Sequence, residues 1–339
     1  LAMNDEKIGY PMFKMDNIDC GFLLEDDVRF ADVSGSLVEQ FKIKKDDVFF
    51  NRVNSEEFVG RTGIYKFDNL KSVFASYLVR ARVKSGGEVL ADYLNIFLNS
   101  SFGIKQIRKF ARRAVNQANV NAEELKQIKI AILPLNAQRD IERLSNESWS
   151  LIEKSKDFYS QAENLLLEEL GLTNFSAKGG SASGGEAESG LWSVVKLSDV
   201  KKANRIDAEY FQPRHQKLYS LIRANGGIAL GELATIKKGF EPGSEAYQEE
   251  GKLFIRVSSI SRDGITDKDQ KYLKDELYQK LKKDYEPKVG EILQIPILSK
   301  AIQQEITELV RKSHETRKKA KELLESAKQK VENLIEQQR

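Results

Sequence analysis

The 339-residue chain carries 54 Lys and Arg against 51 Asp and Glu, so a formal net charge of +3 argues neither for nor against a polyanionic partner, and the distribution of charge has to decide. One cysteine (Cys20) and two histidines (His215, His314) exclude a disulfide framework and any zinc site built from Cys and His alone. No apolar run reaches membrane-spanning length and the first residues lack a basic-then-apolar signal layout, so a cytoplasmic protein with no membrane partner is expected.

In chain order, the first strand signal is YPMFKMDNI at 10–18, where Met12, Phe13, Met15 and Ile18 suit half-buried strands. Asp46 and Asp47 suit a tight turn into a strand ending at Phe50, and a hairpin loop then leads to a strand at Ile64. IAILPLNAQRDI at 130–141 reads as a short strand running into a long helix. Its apolar positions step by four and three through Ile141, Leu144, Ser148, Leu151, Ser155 and Phe158, an a/d seam. KGGSASGGEAESG at 178–190 is a flexible linker, and Trp192 opens the next ordered segment. KLFIRVSSI at 252–260 repeats the first strand signal, and IPILSKAIQQEI at 295–306 repeats the strand-to-helix approach at an offset of 165 residues. The second seam runs through Ile306, Leu309, Ser313, Ala320 and Leu323. Each helix of about 35 residues would span roughly 50 Å at ~1.5 Å per residue, and the small residues Ser148, Ser155, Ser313 and Ala320 suggest close approach at mid-length.

The expected fold class is α/β (α+β): two modules plus two long antiparallel coiled-coil helices, with an internal pseudo-twofold repeat. The expected boundaries are a first module over 1–133, a long helix over 134–172, a linker over 173–190, a second module over 191–294 and a second long helix over 295–339. The copies are unequal. Nothing before Lys7 corresponds to 191–251, and the second module has no counterpart of 52–129, so each is expected to lack part of the unit.

These segments resemble the DNA-specificity subunit of type I restriction–modification systems, the HsdS-like S subunit. The resemblance rests on YPMFKMDNI and KLFIRVSSI, on DDVFFNRVNSEEFVGRTGIYKF, on NQANVNAEELKQIKIAILPLNAQRDI, and on LSDVKKANRIDAEYFQP at the start of the second module, which together touch most of the chain. It implies two target-recognition domains, each reading half of a bipartite site in double-stranded DNA, held apart by two antiparallel helices. It also implies partners: two adenine-N6 methyltransferase (M) subunits that bind S-adenosylmethionine, docked on the outer faces of the helices, and translocase/nuclease (R) subunits that use ATP and Mg. No cofactor is expected on this chain itself.

From 93 to 122 there is no acidic residue, and Lys105, Arg108, Lys109, Arg112 and Arg113 recur at helical spacing opposite Ile104, Ile107, Phe110, Ala111 and Ala114. Such a cationic stripe backed by an apolar one suits a phosphate backbone, or is a solvated basic face. Asn116, Gln117, Asn119 and Asn121 could pair with adenine edges, or serve as turn and cap residues. Arg52, Asn54 and Arg61 lie in the hairpin loop; arginine can grip guanine, and Gly60 and Gly63 would let the backbone come close to DNA, unless the loop is an ordinary connection. In the second module the candidates are Arg256, aligned with Lys14 in a strand, Ser258, Ser259, Arg262, Lys237 and Lys238.

Catalytic motifs are not found. There is no Gly-rich phosphate loop ending in Lys-Ser/Thr, no Asn-Pro-Pro-Tyr or Asp-Pro-Pro-Tyr segment, and no close nucleophile and base pair. The expectation is a non-catalytic reader that lends sequence choice to enzymes on other chains. Two alternatives stay open: a coiled-coil protein-interaction module, and the recognition end of a fused methyltransferase or nuclease.

Overall fold

The computed structural model describes residues 3–4, 7–54, 59–68, 71–113, 118–173, 194–208, 210–224, 228, 230–235, 237–261, 264–265, 271–285 and 298–337. Asn116, Gln117, Arg262, Trp192, the 178–190 linker and the segment 288–297 lie outside these residues. Two compact units form: Leu1–Tyr159 with Arg311–Arg339, and Ser160–Val310.

The elements are β1 (Met3–Asn4), β2 (Tyr10–Phe13), β3 (Ile18–Asp19), β4 (Phe22–Leu23), β5 (Arg29–Ala31), α1 (Gly35–Phe41), β6 (Val48–Asn51), β7 (Val53–Asn54), β8 (Thr62–Ile64), β9 (Val73–Phe74) and β10 (Leu78–Ala81). Then come α2 (Ala91–Asn99), α3 (Ser101–Phe110), β11 (Arg112–Arg113), β12 (Ala118–Asn119), α4 (Ala122–Leu125) and α5 (Leu135–Glu169). The remainder holds α6 (Leu197–Ala203), α7 (Pro213–Ala224), α8 (Leu230–Leu233), β13 (Tyr247–Gln248), β14 (Lys252–Phe254), β15 (Ile260–Ser261), β16 (Gly264–Ile265), β17 (Lys271–Leu273), α9 (Asp275–Tyr285) and α10 (Lys300–Glu336).

In the first unit the strands form sheets of order β1-β5-β2-β9, β10-β6-β8-β4-β3 and β11-β12-β7. Pairing is antiparallel except between β2 and β9 and between β4 and β8, as in a mixed α+β fold. Phe13, Ile18, Leu23, Phe49, Tyr65 and Leu78 fill one core cluster. Another joins Phe22, Val48 and Ile64 of the strands to Tyr93, Ile96 and Phe97 of α2, Ile141 and Ile152 of α5, and Ala320, Leu324, Ala327 and Val331 of α10. Both long helices are therefore part of the module's own core. Two ion pairs accompany these clusters: Lys66 bonds Asp92 at 2.7 Å with both side chains buried, and the buried Asp47 takes the partly exposed Arg82 at 2.6 Å.

Residues 130–134 form no strand, contrary to the sequence reading. Pro134 has no N–H to give a ladder. The segment is held by Gln138 instead, whose Nε2 donates to the carbonyls of Leu133 and Glu88, both at 2.8 Å, while its Oε1 accepts the N–H of Leu90 at 2.9 Å. The duplicated glutamine repeats the first contact: Gln303 donates to the Leu298 carbonyl at 2.7 Å, at the same spacing of five residues.

Within the first unit, α5 meets α10 through small residues. Ser148 Oγ donates to the Ala320 carbonyl at 2.8 Å, Ser155 Oγ to the Ser313 carbonyl at 2.9 Å, and Ser313 Oγ to the Ser155 carbonyl at 2.8 Å. Residue numbers fall along α10 as they rise along α5, and Lys330 with Asp140, at 2.7 Å, continues the trend. The buried face of α5 is wider than the expected seam. Ile141, Ser148 and Ser155 are buried as foreseen and Leu144, Leu151 and Phe158 are half-buried, while Gln138, Ser145 and Ile152 are buried as well. On α10, Leu323, Leu309 and Ile306 are half-buried, whereas Leu324 and Val331 are buried. Leu144 and Leu151 pack with Trp149 against the core that the module's strands share with α2 and α10.

The second unit repeats part of the first at a constant offset of 242. Tyr10 opposite Ala31 becomes Lys252 opposite Leu273, and Met12 opposite Arg29 becomes Phe254 opposite Lys271. The 3₁₀ turn Met15–Asn17 becomes Val257–Ser259, and the Ile18–Leu23 pair becomes Ile260–Ile265. Gly9 and Gly251 both take positive φ, +92° and +139°, and a Cβ there would meet the carbonyl oxygen of Ala31 or Leu273 at 2.2 or 2.6 Å, so both positions call for glycine. The surroundings differ. Ile18 is 4% exposed but Ile260 is 63% exposed, since no counterpart of the β6, β8 and β10 layer stands over it among the described residues.

Candidate nucleic-acid interface

The acid-free stretch folds into two elements, not one helix. Ser100 separates α2 from α3: its Oγ donates to the Phe97 carbonyl at 2.7 Å and accepts the N–H of Gly103. Gly103 has to be glycine, because a Cβ would meet the Phe97 oxygen at 2.4 Å. The N–H of Ser101, next to this cap, donates to Glu332 of α10 at 2.6 Å. Helix α3 then presents Lys105, Arg108 and Lys109 to solvent, while Ile107 is buried against Phe50, Val59, Ala118 and Val120. Cations face out and the apolar stripe faces in, as the spacing predicts.

The helix stops at Phe110, so Arg112 and Arg113 do not extend the stripe. They form β11, antiparallel to β12, with Arg112 opposite Asn119 and Arg113 opposite Ala118. β12 in turn pairs with β7, placing Asn54 opposite Ala118. This ladder, completed by residues some 60 positions away, removes the last two cations from the helix. Of the Arg113 and Asn54 side chains nothing is described. Arg112 is 76% exposed and paired with Glu124 at 2.8 Å. Asn121 caps α4, its Oδ1 accepting the N–H of Glu124 while Glu124 bonds back to the N–H of Asn121. Asn119 is exposed beside Arg112.

Of the hairpin loop, residues 55–58 lie outside the described residues. β6 pairs with β8 as expected, Phe50 opposite Thr62. Arg52 is half-buried, with its backbone engaged by Tyr77 and Val120. Arg61 is half-buried and lines a cavity of about 400 Å³ with Asp19, Cys20, Asn99 and Lys321. Gly60 and Gly63 sit against packed neighbours: a Cβ on Gly60 would strike Ile107 at 2.5 Å, and one on Gly63 the Phe22 backbone at 2.8 Å. In the second unit Arg256 lies just past its strand, half-buried over the Tyr247 ring at 5.5 Å, with its N–H on Ser259 Oγ. Ser259 is buried and Ser258 exposed. Lys237 pairs with Asp284 at 3.3 Å, and Lys238 is exposed.

The arrangement in the first unit is thus an exposed cationic helix beside a short ribbon, both resting on one apolar cluster. Among the described residues no group of three or more His, Cys, Asp and Glu is placed to hold a metal, and no helix is long and apolar enough to cross a membrane.

No family model matches the chain. It is 26% identical over 206 residues, 58% of its length and 48% of the relative's, to a protein named as the type I restriction enzyme MjaX specificity subunit of Methanocaldococcus jannaschii. The chain is similar to type I restriction specificity subunits. A second relative, the type I restriction enzyme EcoKI specificity subunit of Escherichia coli K12, is 25% identical over 142 residues, 41% of this chain and 30% of that one. The chain therefore spans about half the length, or less, of the curated relatives it matches. Two solved structures cover most of it at 14% identity. They are the type I restriction-modification S subunit from M. genitalium, with a TM-score of 0.37 over 98% of this chain and 90% of that one, and the HsdS subunit from Thermoanaerobacter tengcongensis, with 0.35 over 98% and 93%. Superpositions this loose bear on neither arrangement nor function.

Proposed function

We propose that this chain is the non-catalytic DNA-reading subunit of a type I restriction–modification complex in the cytoplasm, recognising a bipartite duplex site. The observation that carries the reading is the identity of 26% over 206 residues to one such specificity subunit. The exposed Lys105, Arg108 and Lys109 on a docked helix support it in chemistry. Its partners would be two adenine-N6 methyltransferase subunits carrying S-adenosylmethionine and the translocase subunits carrying ATP and Mg, with the outer faces of α5 and α10 as the docking surface.

The finer architecture in this proposal is an antiparallel helix pair with pseudo-twofold symmetry. The offset of 165 residues supports it. Shifting each residue of the Ser148–Ala320 contact by 165 gives Ser313 and Ser155, and Ser313 Oγ donates to the Ser155 carbonyl as Ser148 Oγ does to that of Ala320. A twofold axis between the helices, passing close to residues 151–152 and 316–317, maps one bond onto the other, as an isologous contact requires.

The test is salt-dependent binding of duplex DNA by the full chain with its methyltransferase subunits. Replacing Lys105, Arg108 and Lys109 by Gln is expected to weaken binding to all duplexes alike and to reduce the slope of log affinity against log salt by roughly 2–3, at ~0.9 per phosphate contact. Unchanged affinity and slope would make α3 a solvated face.

A further inference from the structure

The hairpin beside α3 contains a built contact that a solvated basic surface does not need. Arg112 Nε donates to Oε1 of Glu124 at 2.9 Å, and Nη2 stands 2.8 Å from the same oxygen. Although Arg112 is 76% exposed, Glu124 is only 14% exposed and is itself immobilised. Its Oε2 accepts the backbone N–H of Asn121 at 3.0 Å, and its own N–H donates to Asn121 Oδ1 at 2.8 Å. The Asn121 N–H first, and the Arg112 guanidinium after it, keep this carboxyl below the usual carboxylate range, so it stays charged at neutral pH. The arginine is therefore held by a carboxylate locked to the first turn of α4.

A guanidinium offers five N–H donors. With Nε–H committed and the Nη2 side turned toward the same carboxylate, the two N–H groups along the Nη1–Nη2 edge stay open. They are parallel donors of the kind that match N7 and O6 of guanine in the major groove, a groove that admits a two-stranded ribbon. Fixing the fork beforehand removes part of the rotamer entropy that a free arginine would lose on binding.

We propose that Glu124 is a positioning residue that presents the outer edge of Arg112 to a guanine in the recognised half-site. Asn119, exposed and directly across the ladder from Arg112, lies on the same face and is placed to address a neighbouring base pair. This inference rests on the DNA-recognition reading above, and turns one member of an expected phosphate stripe into a base reader.

The experiment is selection of a random-sequence duplex pool by the full chain with its methyltransferase subunits, followed by sequencing of the bound fraction and by affinity measurement on the unselected pool. Wild type is expected to enrich a G at one position. Arg112→Lys keeps the charge but loses the fork, and should relax that position alone by about five- to a hundredfold. Glu124→Gln should relax the same position by a smaller factor while affinity for the unselected pool holds or rises, since a negative charge near a polyanion has been removed. A merely structural Glu124 would lower both together. Uniform weakening by Arg112→Lys with all preferences intact would make the contact one to phosphate, and Glu124→Gln with unchanged preferences would remove the positioning role; either result overturns the proposal. If wild type binds no duplex in a salt-dependent way, the DNA-recognition reading itself has failed.

Discussion

Ala320→Leu probes the helix pair where it is tightest. Ala320 is fully buried and its carbonyl accepts Ser148 Oγ at 2.8 Å, so a side chain of α5 stands within hydrogen-bond reach of the α10 backbone. A leucine adds three carbons to that gap. Either the side chain is forced into a strained rotamer, which costs about 1–3 kcal/mol, or the helices separate and the bonds of Ser148 and Ser155 across the pair are lost at about 1 kcal/mol each. By either route the expected loss is roughly 1–3 kcal/mol. The first unit has 188 residues, 159 in one segment and 29 in the other. For a domain of that size about 2–4 °C is lost per kcal/mol, which places the fall in Tm at roughly 2–12 °C by far-UV circular dichroism. Lys319→Leu, one residue away and exposed, is the matched control and should stay within about 2 °C. If Ala320→Leu melts with the control, the two helices are not packed through this seam.

Asp19 sets a pH dependence. Burial raises its pKa, but the charge and hydrogen bond of Arg317, at 3.0 Å, together with Cys20 and Lys321, outweigh that and leave it below the ordinary value. A depressed carboxyl contributes stability that is present above its unfolded pKa of about 3.9 and is lost as pH falls through the folded value. The gap in denaturation midpoint between wild type and Asp19→Asn should thus be constant from neutrality to about pH 5 and close below about pH 4; a gap of the same size at pH 3 and pH 7 would refute this assignment. Cys20, on the same cavity wall, has its thiol pushed up to about 12, by burial first and then by the Asp19 charge. Its alkylation at pH 8 should be about two orders of magnitude slower than that of an exposed thiol and should recover in denaturant. Labelling at the free-thiol rate in the native protein would show that the cavity is open and the Asp19–Arg317 pair absent in solution.

Long helices and duplicated strands were legible because each rests on a local pattern: period, cap and turn chemistry. The full width of the buried face of α5 was not, and the reason is physical. A periodicity argument prefers Leu144 and Leu151 to Ser145 and Gln138. Yet this helix is buried on more than one side, and the leucines sit with Trp149 at the margin of the core shared by the strands, α2 and α10. Ser148 and Ser155 can face the opposite backbone at close range because each brings its own donor to a carbonyl there. Gln138 was visible only as a repeated letter, and its three bonds to Glu88, Leu90 and Leu133 depend on a loop that no helical pattern encodes.

The cationic stripe was overread for a related reason. Residues 111–113 continue the three- and four-residue spacing of α3, so nothing local ends the helix there. Only the ladder to β12 and β7 does, and such pairing is invisible to periodicity. Counting acids in the stretch from 93 to 122 also stopped one residue short of Glu123 and two short of Glu124, the partner of Arg112. The Asn-x-x-Glu spacing of a capping box at 121–124 was the one available signal that a carboxylate would be fixed at that point. The two errors have a common consequence for binding. On the proposed DNA-reading function, the cations presented to phosphate would reduce from the five of the sequence pattern toward the three on α3, and the electrostatic part of affinity would be smaller than composition implies. Arg112 would then count toward the part that distinguishes one base pair from another.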